Sequence, residues 1–154
     1  MSQYDDVAEE YEARIVPRFR AIAERLMAVA DLRPADRVLD VAAGTGGLSR
    51  LVARRIGDRG RLILVDTSSG MLGVARRILE TAPPGALGAP KVETIVANLE
   101  ALPLDDGSVD VVVAQMTPVL DSEAGVAEAF RVLSPGGRLA VVAWGARGTR
   151  RRSS

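Results

Sequence analysis

The chain contains no cysteine and no histidine among its 154 residues. The first absence excludes disulfides and thiolate metal sites. The second removes the commonest metal ligand and the usual general base near neutral pH, so no metal site is expected. Aromatic residues are scarce, at 3% against 47% hydrophobic residues overall. The core must then be built from Ala, Val and Leu, a composition that suits a globular domain rather than a disordered chain. Neither sign of charge prevails, with 20 basic against 20 acidic residues. That balance gives no overall attraction to nucleic acid or to an anionic membrane. No signal-peptide pattern opens the chain, and no apolar run is long enough to span a bilayer. A cytoplasmic protein without nucleic-acid or membrane partners is therefore expected. The length favours one domain with a buried core.

Against these absences stands a strong alternation of periods. Val7, Tyr11, Ile15, Phe19, Ile22 and Leu26 fall at steps of three and four, one face of a helix. Pro17 divides this face into helices 5–14 and 17–30, because a mid-helix proline removes a hydrogen bond. Strands are predicted over 37–42, 61–66, 92–97, 109–114 and 138–144. Helices are predicted after the first strand (ending at Gly57), over 69–81 with Ser68 or Ser69 as cap, and over 122–133. Ser134-Pro135-Gly136-Gly137 reads as the turn before the last strand. The alternation predicts an α/β fold with a parallel sheet, its apolar strands buried on both faces. The four arginines and the serines of 147–154 read as a disordered basic tail.

The stretch Arg-Val-Leu-Asp-Val-Ala-Ala-Gly-Thr-Gly, residues 37–46, runs from an apolar strand into small residues and two glycines. In an open α/β sheet such a turn lies at the carboxyl end of a strand, where ligands bind. It reads as a tight connection, as a pyrophosphate cradle, or as a seat for a nucleoside with a short charged tail. A dinucleotide fingerprint needs a third glycine, at the position that Ser49 occupies, and this weakens a nicotinamide-dependent oxidoreductase. Asp66 ends the second strand about 20 residues past the glycines, the spacing expected for a carboxylate on a ribose diol. A helix-capping role is its plainer alternative.

Four segments in order carry a family resemblance: Val-Leu-Asp-Val-Ala-Ala-Gly-Thr-Gly (38–46), Val-Asp-Thr-Ser-Ser-Gly-Met-Leu (65–72), Ala-Asn-Leu-Glu-Ala-Leu-Pro-Leu-Asp-Asp-Gly-Ser-Val-Asp (97–110) and Arg-Val-Leu-Ser-Pro-Gly-Gly-Arg-Leu (131–139). With Tyr-Asp-Asp-Val-Ala-Glu-Glu-Tyr (4–11), they resemble class I S-adenosylmethionine-dependent methyltransferases of the methyltransferase domain 11/25 type. The branch they resemble most includes the ubiquinone/menaquinone-biosynthesis C-methyltransferases. The resemblance implies a Rossmann-like, doubly wound, mostly parallel sheet in the order 3-2-1-4-5. It implies N-terminal cofactor-capping helices (1–35), an S-adenosylmethionine-binding core (36–145) and the tail (146–154).

The resemblance also implies roles for single residues. Ala42, Gly44, Thr45 and Gly46 would line the methionine and ribose part of the cofactor, with Ala42 standing where glycine is commoner. Asp40 would orient the methionine amino group, and Asp66 would take the ribose hydroxyls. Thr67 and Met71 would pack near the adenine, and Asn98 and Leu99 would stand at its edge. Gln115 would line the methionine end, which Tyr11 would cover. Core packing is an equal alternative for Met71 and Leu99. Asp121 and Glu123 could serve a hydroxyl acceptor as base, but read more naturally as a helix cap. No catalytic residue is assigned. The implied activity is methyl transfer to a small molecule. Its alternative is a truncated or partner-dependent cofactor-binding module without transfer activity. The family's usual strands 6 and 7 are not found in the sequence. The last strand is then expected to form an open apolar edge, with one sheet face partly bare, inviting a homodimer or a partner chain.

Overall fold

A computed structural model describes residues 5–144, so the expected tail and Tyr4 lie outside the described residues. Five strands, β1 (Arg37–Val41), β2 (Arg61–Asp66), β3 (Lys91–Val96), β4 (Val109–Gln115) and β5 (Leu133–Val142), form one sheet. Its order is β3-β2-β1-β4-β5, and every pairing is parallel. The order reverses direction between β1 and β4, which opens a crevice at their carboxyl ends.

The helices are α1 (Ala8–Arg14), α2 (Arg20–Ala30), α3 (Gly47–Ile56), α4 (Ser69–Thr81) and α5 (Glu123–Val132). Alternate strand residues divide between two core layers. Val38, Leu62, Leu64, Val111 and Val113 pack with α2, α3 and α4. Leu39, Val41, Ile63, Val65, Val112 and Ala114 pack with α5 and the loop around Leu102. Burial on both faces holds for β1, β2 and β4, whereas most of β3 and β5 is half-buried or exposed at the sheet edges.

Three expectations need correction. Pro17 stands within a 3-10 turn, Val16–Phe19, so the second helix starts at Arg20 rather than at the proline. β5 starts at Leu133, not 138, because Ser134 to Gly137 form a bulge. Leu133 pairs with Val109, and the regular register resumes with Arg138 opposite Val111. The cap of α5 is neither Asp121 nor Glu123 but Ser122, whose Oγ accepts from the Gly125 amide at 3.0 Å.

At β5 the two faces of the sheet differ. α2 lies against β5, and Arg138 donates to the carbonyls of Ala30 and Asp31 and to Asp36. The α5 side stays partly bare, with Val141 39% and Phe130 of α5 61% exposed, and no strand covers the outer edge of β5 among the described residues.

Candidate functional site

Two turns form the lips of the crevice, one after β1 and one after β4. In each, a non-glycine residue takes the left-handed conformation: Ala42 at φ 57° and Met116 at φ 54°. Such strain costs about 1–2 kcal/mol per residue and tends to gather at functional sites. Gly44 (φ 58°) and Gly46 (φ 83°) continue the first lip. Added methyl groups would meet different neighbours there. At Gly44 a Cβ would find only Tyr11 at 3.9 Å, whereas at Gly46 it would press on Ala75 at 3.2 Å. Gly44 thus faces open space, and Gly46 lets α3 seat against α4.

The first lip is held from three directions. Asp66 accepts the Gly44 amide on Oδ2 and the Ser68 amide on Oδ1, both at 2.9 Å. From α1, Glu12 accepts the Thr45 hydroxyl at 2.6 Å and pairs with Arg50 of α3. Beneath the lip lies Asp40. It shares the parity of Val38 and so points to the α3 side, where Ser49 donates to it at 2.6 Å. Asp40 is buried, and its pKa is pushed up to about 7. Desolvation raises it most, the Ser49 hydrogen bond opposes this, and the nearby Asp66 charge raises it further.

The second lip is less fully partnered. Gln115 ends β4, and its Oε1 is buried without a hydrogen-bond partner. Beyond it, Thr117 caps a short turn, Pro118–Asp121, by accepting from Val119.

Two cavities meet between the lips and the N-terminal helices. One, of about 540 Å³, is bordered by Asp66, Thr67, Met71 and Leu99 on one side and by Met116 to Val119 on the other. The other, of about 350 Å³, reaches Asp40 and Thr45 and extends between α2 and α3. Tyr11, Phe19, Ala42, Gly44 and Gln115 line both. Phe19 also meets Trp144 edge-on, with ring centres 6.4 Å apart.

Ten of the twelve predicted site residues therefore border one continuous space. The other two do not. Gly46, at the start of α3, is packed against Ala75 of α4 and Leu64 of β2. Asn98 is exposed, and its Oδ1 accepts the Glu100 amide at 2.9 Å within a turn that carries Leu99. Sequence reasoning missed Glu12 and the Ser49 hydroxyl. A signal for Ser49 was present, since it sits on the same helical face as Val52 and must be buried. Among the described residues no cluster of potential metal ligands occurs.

Comparison with known proteins agrees with this geometry. The family model described as a methyltransferase domain matches residues 38–137. The chain is 40% identical over 125 residues to the ubiquinone/menaquinone biosynthesis C-methyltransferase UbiE of Stenotrophomonas maltophilia (strain R551-3), covering 80% of this chain and 48% of that protein. To UbiE of Shewanella halifaxensis (strain HAW-EB4) it is 40% identical over 115 residues, covering 73% of this chain and 44% of that one. The chain thus spans about half the length of the curated relatives it matches. Among solved structures, a geranyl diphosphate C-methyltransferase from Streptomyces coelicolor A3(2), in complex with Mg2+, geranyl diphosphate and S-adenosyl-L-homocysteine, superposes with TM-score 0.68 at 25% identity, covering 80% of this chain and 44% of that one. A Haloferax volcanii methyltransferase, solved with its Trm112 activator, shares the fold at TM-score 0.75 and 24% identity, covering 92% of this chain and 60% of that one. By its matched domain and its fold, the chain belongs to the class I S-adenosylmethionine-dependent methyltransferases.

Proposed function

We propose that the chain binds S-adenosylmethionine across the crevice and transfers its methyl group to a small-molecule acceptor. One observation carries this reading most: Asp66, Gly44, Asp40 and Gln115, drawn from three strands and a turn, border one space at the sheet's switch point. The residues suit the donor's groups. Asp66 spends lone pairs on two backbone amides, and a carboxylate has capacity left for a ribose diol. Thr67, Met71 and Leu99 offer a half-apolar wall for adenine. The orphaned Gln115 Oε1 needs a hydrogen-bond donor, which an ammonium supplies, and Asp40 stands on the same side. Tyr11 and the first lip would cover the methionine end. Gly46 and Asn98 would act by shaping the lip and the Leu99 turn.

When bound, the donor supplies a methyl group on a positively charged sulfur, already activated for transfer. The protein's own work is then to hold, orient and dry the site. A chain without histidine can do this. No residue is assigned as base.

The same reading divides the chain into capping helices (1–35), a binding core (36–145) and a tail (146–154), and places it in the cytoplasm. The half-buried outer edge of β5 is the surface offered to a second copy or a partner chain. The relatives named for ubiquinone and menaquinone biosynthesis favour a small apolar acceptor.

The test is transfer of label from tritiated S-adenosylmethionine to small apolar acceptors by the purified chain. Label in a small-molecule product is the expected result. Donor binding without transfer to any acceptor would move the chain to the cofactor-binding-module alternative.

A further inference from the structure

The smaller cavity contains more than a methyl donor uses. Its inner rim, Asp40, Ala42, Gly44, Thr45 and Gln115, belongs to the site described above. Its outer half forms a chamber continuous with that rim, with the Val16–Phe19 turn and α2 on one side and α3 on the other. The turn is seated firmly, because a methyl group added at Gly47 would lie 2.8 Å from Val16 Cγ1.

Two chemistries share this chamber. Val16, Pro17, Ala23, Leu48 and Leu51 give it apolar walls, while Arg20, Arg50 and Arg54 also line it. The carboxylates that reach it are already engaged. Glu12 is engaged by Arg50 and Thr45, and Asp40 by Ser49. Arg50 keeps a buried Nε with no partner. Arg20 has only an exposed pair with Glu24 on its own helix, of a kind that contributes little. Arg54 has no ion pair among the described residues. The chamber thus combines apolar surface with one arginine that has no ion pair among the described residues, Arg54, and a second, Arg20, held only by an exposed pair. The whole cavity, donor rim included, is about 350 Å³, a volume suited to a small molecule.

We infer that this outer chamber binds a small apolar carboxylate, its tail against Val16, Pro17 and Leu51 and its head at Arg20 and Arg54. A bare inorganic anion would leave the apolar walls unused, and a neutral hydrocarbon would leave the arginines unused. The inference rests on the chamber's own lining and stands whether or not the chain transfers methyl groups.

Calorimetric titration of the full chain with sodium octanoate tests it. Octanoate should bind saturably. Octanol, which lacks the charge, and acetate, which lacks the tail, should each bind at least about tenfold more weakly. This comparison needs no variant. The Arg20→Gln/Arg54→Gln double variant, altered only at exposed side chains, should weaken octanoate about tenfold and leave S-adenosylhomocysteine affinity within a factor of about two. Absence of octanoate binding overturns the inference, as does equal binding of octanol. Unchanged octanoate affinity in the double variant does so too. An equal loss of S-adenosylhomocysteine affinity would assign the arginines to the donor site and also overturn it. If the unaltered chain binds octanoate but no S-adenosylhomocysteine, that result counts against the methyl-donor reading alone.

Discussion

The two lips of the crevice are built on opposite principles. The lip after β1 is fully engaged: Asp66 holds its backbone, Glu12 holds Thr45, and Ser49 holds Asp40 beneath it. The lip after β4 leaves the Gln115 Oε1 buried and unpartnered. Both carry a strained residue, Ala42 and Met116. The first lip is therefore preorganised by the protein itself, whereas the second leaves one buried acceptor unmet. Preorganisation lowers the cost of binding, and an unmet polar group gives a ligand something to repay.

The largest expected effect breaks the first lip. Asp66→Ala removes two charge-assisted hydrogen bonds, each contributing about 1.5–3 kcal/mol. S-adenosylhomocysteine affinity should fall at least about a hundredfold by calorimetry, with loss of stability as well. A change within about threefold would mean that the site does not depend on this lip.

The contrasting variant lies on the second lip. Gln115→Leu keeps the volume and deletes the orphaned acceptor, so stability in urea should hold or rise by up to about 1 kcal/mol. Donor affinity should nevertheless fall about tenfold. A loss of stability comparable to that of Asp66→Ala would erase the distinction between the lips.

Within the first lip the two glycines should differ. Gly46→Ala meets both a left-handed φ and the Ala75 contact at 3.2 Å, and should cost about 2 kcal/mol. Gly44→Ala meets the φ alone and should cost about 1 kcal/mol. Urea unfolding separates them, and the reverse order would contradict the packing described.

The remaining effect is a slope with pH rather than a fixed difference. The Asp40 pKa rises from 3.8 to about 7 on folding, so the native state binds the extra proton between these values. The contribution of the neutral carboxyl is complete below 3.8, declines as pH rises, and levels off above about 7. The slope approaches at most about 1.4 kcal/mol per pH unit. Asp40→Asn should lack it, and parallel stability curves for the two proteins across this range would refute the burial argument.

Much of this was legible in the sequence, and the reasons are local. β2 and α4 carry clear boundary signals, and Arg61–Asp66 and Ser69–Thr81 match the expected spans. The start of β5 was not legible, since Pro-Gly-Gly signals a turn equally well whether it precedes a strand or bulges within one. Glu12 was hidden for another reason. Its partners, Thr45 and Arg50, are more than thirty residues away, and helical periodicity places it on a polar face without saying what that face meets. Asn98 shows the converse, a residue placed at the site by resemblance whose side-chain oxygen is occupied in its own turn.

The central claim is that the crevice between β1 and β4 holds the methyl donor, and calorimetric titration of the purified chain with S-adenosylmethionine tests it most directly. The account predicts saturable one-to-one binding that is lost in Asp66→Ala. Absence of binding at millimolar donor, or binding that Asp66→Ala leaves intact, would contradict it.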